Sequence, residues 1–365
     1  MRLFPSTPAL LRPERRQLLL AAALAGAQGL LAPTAHALPP RALQFPRDRG
    51  AHPDFRTEWW YITGQALAGE RLFGFQLTFF RSRVAGTQAM TSKFAAKQLL
   101  FAHAAVTDVA GQQLHHDQRI ARSGFELANA SPTDMAVKLR DWTLQATNNH
   151  YTARLQAADF GLDLQFTETQ AVLLQGDNGL SRKGPDIQQA SYYYSQPQLA
   201  TQGRLRLKGV SFDITGTAWL DHEWSDTLLH PSATGWDWIG MNLLDGGALT
   251  AFRLRDQAGG AVWDGGSLRS AQGERVVFRR GEVVFTPTRW WKSPLTRTRY
   301  PVEWTVRTPA ALYTVKAVVD SQELDSRQST GSIYWEGLSD LWSSTGTRVG
   351  RGYLEMTGYA APLRL

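Results

Sequence analysis

Phe73-Gly74-Phe75-Gln76-Leu77-Thr78-Phe79 is the stretch on which the fold turns. Its large apolar residues recur at every second position, with glycine or polar residues between them. A β-strand sends successive side chains to opposite faces, so this spacing gives one strongly apolar face. A helix would need apolar residues three and four apart. The same period runs through Leu205-Arg206-Leu207-Lys208, Val210-x-Phe212-x-Ile214, Val302-x-Trp304-x-Val306 and Tyr313-x-Val315-x-Ala317-x-Val319. Ile239-x-Met241-x-Leu243, then Asp245-Gly246-Gly247, then Leu249 to Leu254 predicts a hairpin with a glycine-rich turn. Further turns are predicted at Ala258-Gly259-Gly260, Asp264-Gly265-Gly266 and Gln272-Gly273, and a last strand over Tyr353 to Tyr359. Helical signals are confined to one or two short turns within Thr87 to Ala104 and another within Gly337 to Ser343. Many short strands with turn signals about 8 to 12 residues apart make an all-β sandwich or barrel. Large apolar residues on one face and small or polar ones on the other suit barrel walls. A barrel of about eight to ten strands can hold one small ligand in its mouth.

Ahead of this region, Arg12, Arg15 and Arg16 precede an apolar stretch from Leu18 to Ala32, followed by Pro33 and Ala35-His36-Ala37. A basic segment, an apolar run of about 15 residues and a small-x-small site predict a secretory signal over 1–37 and a mature start at Leu38. The run is shorter than the roughly 20 apolar residues of a membrane span. Arg15-Arg16 resembles a twin-arginine pair, so both the Sec and the Tat exporter stay open. A periplasmic location is expected.

Without 1–37 the chain keeps 35 basic and 31 acidic residues, a net charge of +4. It has no block of five like charges, whereas nucleic-acid binding wants a concentrated basic face, so no nucleic acid is expected as partner. There is no cysteine. Core burial must therefore do what disulfides do in many exported proteins, and the 328 residues after the signal suffice for two domains. The seam is expected near Asp226 to Thr234, where Leu228-Leu229-His230-Pro231-Ser232 interrupts the strands, giving domains at 38–225 and 226–365. Thirteen Trp, ten Tyr and sixteen Phe can fill cores or line an apolar pocket.

Three segments mix aromatic with charged side chains: His52 to Tyr61, Trp219-Leu220-Asp221-His222-Glu223-Trp224-Ser225-Asp226, and Gly235-Trp236-Asp237-Trp238-Ile239-Gly240. Buried carboxylates require partners, so Glu58 can serve to tie down a barrel end. On a strand, Asp221 and Glu223 share one face, and His222 and Trp224 take the other. One pair can then face a ligand while the other secures the barrel. A carboxyl among aromatic rings has a raised pKa and can act as a general acid, as protonating an alkene or opening a lactone requires. Asp221, His222 and Glu223 are thus the candidate catalytic residues. Glu58, Trp60, Tyr192, Tyr193, Trp224, Asp237 and Trp238 are the candidate ligand-binding residues. No G-x-S-x-G elbow or thiol offers another nucleophile. His103, His115 and His116 lack metal-ligand spacing, and the glycines fall in turn patterns rather than phosphate loops. Neither cofactor nor metal is expected.

His52-Pro53-Asp54 with Glu58-Trp59-Trp60-Tyr61, Ser191-Tyr192-Tyr193-Tyr194-Ser195, and Trp219 to Trp224 resemble the AttH and carotenoid 1,2-hydratase (hydroxyneurosporene synthase) superfamily. The resemblance runs from about residue 45 to about 360. It implies two consecutive lipocalin-like antiparallel barrels. It also implies kinship to hydratases that add water to a terminal isoprenoid double bond, and to fungal pericyclases. The His-x-Trp of the hydratase branch is matched by His222 and Trp224, but its Tyr-x-Asp on a following strand meets Phe252-Arg253-Leu254. The acid that would protonate the alkene is missing there, which shifts the expectation from hydratase toward the broader AttH-like group.

The expectation is therefore an exported protein that takes an apolar or amphipathic molecule of isoprenoid, lipid or polyketide type into an aromatic-lined cleft. It acts as a binder, or as a hydro-lyase or hydrolase. Trp60, Tyr192, Tyr193, Trp224 and Trp238 should share that cleft with Asp221, His222 and Glu223. The remaining class is a structural accessory of an envelope transport complex, associated with the membrane or an ABC transporter. That class calls for an outer hydrophobic patch rather than a closed pocket.

Overall fold

The computed structural model describes residues 37–227 and 229–363. All of the expected signal but its last residue lies outside them. The described chain is built of strands, with single 3-10 turns at Arg47–Arg49 and Ala85–Thr87.

Among the described residues, thirteen strands make up the first sheet. They are β1 (Thr57–Ala68), β2 (Arg71–Arg83), β3 (Gln98–Asp108), β4 (Gln113–Arg122), β5 (Ala128–Ala130), β6 (Ala136–Leu139) and β7 (Trp142–Thr147). Then come β8 (His150–Gln156), β9 (Phe160–Thr167), β10 (Leu173–Leu174), β11 (Leu180–Arg182), β12 (Ala190–Leu207) and β13 (Val210–Thr227). The order is β4-β3-β2-β1-β13-β12-β9-β8-β7-β6-β5, with β10 and β11 pairing β12. Because β3 and β4 come against β6, this sheet nearly closes into a barrel.

Ten strands make up the second sheet, again among the described residues. They are β14 (Ala233–Leu243), β15 (Ala248–Asp256), β16 (Ala261–Arg269), β17 (Arg275–Phe278) and β18 (Val284–Lys292). The others are β19 (Arg299–Arg307), β20 (Leu312–Ala317), β21 (Glu323–Ser326), β22 (Ser332–Ser343) and β23 (Arg348–Met356). The order β17-β16-β15-β14-β23-β22-β20-β19-β18, with β21 on β22, makes a half-barrel. The all-β, double lipocalin-like architecture is present, with one barrel almost closed and the other open.

The alternation in β2 explains how the halves meet. Phe73, Phe75, Leu77 and Phe79 are fully buried in the core of the first sheet. At roughly 1.5–3 kcal/mol per buried side chain, slipping β2 by one residue would lose all four at once. The opposite face, Gly74, Gln76 and Thr78, is buried as well, because the second sheet covers it. A Cβ on Gly74 would lie 2.8 Å from the Tyr353 hydroxyl and 3.0 Å from Leu338 Cβ. The second sheet has its own core around Ile239, Met241, Trp304 and Trp335. A third cluster, including Tyr61, Trp219, Trp238, Phe252, Leu338 and Tyr353, joins the two sheets.

Three sequence expectations change. Gly337 to Ser343 is not a helical turn but the second half of β22. Leu338 and Leu341, three apart, are both buried because β22 has a core on each face, and such burial erases the period of two. Asp264-Gly265-Gly266 is not a turn; it lies inside β16. Glycine is needed there because a Cβ on Gly266, at φ +157, would stand 2.1 Å from Thr250 O. Of the helical reading at Thr87 to Ala104, only the turn at Ala85–Thr87 exists, and Gln98 opens β3.

Candidate functional site

β13 lies between β1 and β12, and its register sets out the site. Asp221 faces Tyr61 on one side and Ser195 on the other; Glu223 faces Trp59 and Tyr193. His222 is opposite Trp60 and Tyr194, and Trp224 is opposite Glu58 and Tyr192. The alternation of these strands sends the two sets to opposite faces.

One set enters the core of the first sheet. Glu58, fully buried, accepts hydrogen bonds from the His52 backbone N–H (2.9 Å) and from Arg81 Nε (2.7 Å). His52 Nδ1 is 2.7 Å and His222 Nε2 2.9 Å from Glu58 Oε1. His52 Nε2 is 3.0 Å from Asp48, and the His52 ring stacks on Trp224 at 3.8 Å. Arg81 also donates to the carbonyls of His52 and Phe55. Burial alone would raise the Glu58 carboxyl, but the hydrogen bonds and charges of His222 and His52 hold it well below its ordinary range. Burial lowers His222 to about 4 against the pull of Glu58. His52, Glu58 and His222 could each offer one ligand atom to a metal, all within 4.8 Å. Those atoms already serve one another as hydrogen-bond partners, and Arg81 occupies the second Glu58 oxygen. The donor set fits a closed network that fastens the Arg47–Arg49 turn to the barrel better than it fits a cation.

The other set faces the second sheet and lines a cavity of about 120 Å³. The sequence placed the ligand in a barrel mouth; the structure places the space between the two sheets. Trp59, Tyr61, Phe80 and Tyr193 wall it from the first sheet, and Trp236, Trp238, Phe252 and Tyr334 from the second. Four carboxyls enter it, Asp221, Glu223, Glu336 and Glu355, with Lys183 as a cation. Asp221 accepts from Trp219 Nε1 (2.7 Å) and Ser195 Oγ (2.5 Å) at Oδ1 and from Tyr193 OH (2.6 Å) at Oδ2. Burial pushes its carboxyl up to about 7, those three donors notwithstanding. Glu223 accepts from Ser191 Oγ and lies 2.9 Å from Lys183 Nζ. Glu336 and Glu355 stand opposite each other across β22 and β23. Burial and the neighbouring Glu355 push Glu336 well above its ordinary range. Burial, with the charges of Asp221 and Glu223, pushes Glu355 up to about 7.

Of the expected cleft residues, Asp221, Glu223, Tyr193 and Trp238 line this space. His222, Trp224, Glu58, Trp60 and Tyr192 instead belong to the core side of the same strands. Asp237 lies on the far face of β14, held by Arg253 (2.7 Å), Arg255 (3.3 Å) and Tyr359 (2.8 Å). The physical reason is the same throughout: a strand separates adjacent residues. Phe252 and Leu254 do reach the cavity, at the place where Tyr-x-Asp was sought. No acid is supplied there; Glu336 and Glu355 bring carboxyls from β22 and β23. Sequence reasoning missed both, although an acid two residues after a tyrosine within a strand, Tyr334-x-Glu336 and Tyr353-x-Glu355, was a usable signal. Lys183 had no such signal.

A family model described as AttH-like matches residues 36–359. An AttH-like protein from Nitrosomonas europaea is 45% identical, with a TM-score of 0.83, over 88% of this chain and 99% of that one. Kievitone hydratase from Nectria haematococca is 15% identical, with a TM-score of 0.69, over 88% and 94%. CghA is 12% identical, with a TM-score of 0.53, over 88% and 94%. The last two share the fold alone. No curated protein matches the chain in sequence.

Proposed function

The chain belongs to the AttH-like family, and from that premise we propose that it binds an apolar or amphipathic small molecule between its sheets and adds or removes water there. Asp221 carries the reading: a buried carboxyl on an aromatic-walled cavity, poised near 7, where proton transfer works best at neutral pH. Its Oδ1 is taken by two donors, whereas its Oδ2 meets the Tyr193 hydroxyl. That hydroxyl can turn from donor to acceptor, which lets Oδ2 hold a proton. In hydration, Asp221 delivers that proton to one alkene carbon while a water oxygen bonds to the other. The surplus proton of the water returns to Asp221; dehydration runs the same steps backward. The hydratase named among the structural neighbours lends this reaction class support through fold alone. The leader expected from the sequence at 1–37 supports action in the periplasm after export by Sec or Tat. The envelope-accessory class has less to stand on: the stacked, exposed Phe94–Phe125 pair is a small feature beside the cavity.

The test joins native mass spectrometry of the purified protein, before and after organic extraction, with the Asp221→Asn variant. A molecule should co-purify, and the variant should retain it while turnover falls about 10²–10⁴-fold. Retention without turnover in either protein makes the chain a carrier. Equal turnover in both removes Asp221 from the reaction.

A further inference from the structure

Lys183 shows how this cavity holds an ammonium group. Its Nζ lies 2.9 Å from Glu223 and 4.8 and 4.4 Å from the ring centres of Tyr193 and Phe252. A carboxylate and two ring faces surround the cation, the arrangement that aromatic cages use for ammonium ligands. The same cavity contains a second set of such parts with no cation of its own. Glu336 and Glu355 stand together there with Tyr61, Tyr334 and Trp236. Among the described residues, no Lys, Arg or His forms an ion pair with either carboxyl, and the charges acting on them are acidic. Glu336 is only 2% exposed; the Tyr61 hydroxyl acts on it, but its Oε1 meets no donor at full hydrogen-bonding geometry, and that hydroxyl has no other partner. A buried carboxyl oxygen without a donor is costly.

We propose that Glu336 and Glu355 receive the cationic head of an organic ammonium compound, an amine or quaternary ammonium whose apolar body lies along the aromatic walls. The proposal rests on the cavity being the ligand site and names the ligand's chemical class. Tyr61 on β1 and Asp221 and Glu223 on β13 act on the pair, the pair acts in turn on Tyr334 on β22 and Tyr353 on β23, and Lys183 pairs with Glu223. Without ligand, the pair holds a proton rather than two adjacent buried charges. The bound cation replaces that proton, so affinity grows as pH rises through about 7.

Benzyltrimethylammonium and neopentylbenzene have one shape and differ by the charge. Calorimetric titration of the full chain should show the cation binding at least tenfold tighter at pH 8, with the advantage shrinking at pH 5. Glu336→Gln and Glu355→Gln should each remove most of that preference while neopentylbenzene still binds. Equal affinity for the two probes, or a preference indifferent to pH, overturns the ammonium proposal and leaves the cavity reading standing. A preference that survives both glutamine variants overturns it too. Binding of neither probe takes both down. Should the variants not fold, the wild-type comparison of the two probes at two pH values decides alone.

Discussion

Glu58 and Glu355 are both carboxyls held within strands, and their neighbours set them to opposite tasks. Glu58 is ringed by Arg81, His52 and His222 and stays ionised. Glu58→Gln leaves Arg81 buried with its counter-charge gone. It should lower the unfolding free energy by about 3–5 kcal/mol in chemical denaturation, while the folded fraction keeps its turnover rate. A loss below about 1 kcal/mol would contradict the network. Glu355 behaves the other way. Its folded pKa, about 7, lies above the ordinary glutamate value of 4.5. Its contribution to stability is thus fully present below pH 4.5 and lost as pH rises through 7. Relative to Glu355→Gln, the wild-type melting temperature should fall between pH 4.5 and 8; a constant difference across that window would refute the assignment. The sequence showed that Asp221 and Glu223 lie back to back with His222 and Trp224. Which pair met the core and which met a cavity depended on the second sheet, and nothing local encodes that.

At the level of strands, β2 was legible and also misleading. The apolar face of Phe73, Phe75, Leu77 and Phe79 is a core face, as period-two spacing requires. Small and polar residues on the other face look like the solvent side of a barrel wall, yet they form the floor on which β22 and β23 rest. Gly74 marks the closest approach. Gly74→Leu should act as a wedge, prising Leu338 and Tyr353 away while leaving each sheet folded. Ligand retention by native mass spectrometry should drop at least tenfold, with the far-UV circular dichroism spectrum unchanged. Full retention would show that the sheets do not need this contact. β22 failed the sequence reading for the complementary reason: buried on both faces, it carries no clear period to read.

For the molecule as a whole, the join is polar as well as apolar. His103 Nδ1 lies 2.8 Å from the Tyr334 hydroxyl, Thr107 donates to Gln322 (2.8 Å), and Ser267 donates to Gln175 (2.8 Å). Sequence reasoning weighed His103 only as a metal ligand; its use as a cross-sheet fastener needs a partner more than two hundred residues away. Cutting the chain at an engineered protease site at the exposed Ser232 should therefore give two fragments that co-elute in gel filtration. Fragments that separate at micromolar concentration would show the linker to be essential to the join. Because each sheet supplies half of the cavity wall, the two halves encoded as separate chains would behave as a coincidence detector. A split reporter fused to them would light wherever both fragments meet, and only there would the cavity be complete, a two-input logic gate already drawn in the wall of one cavity.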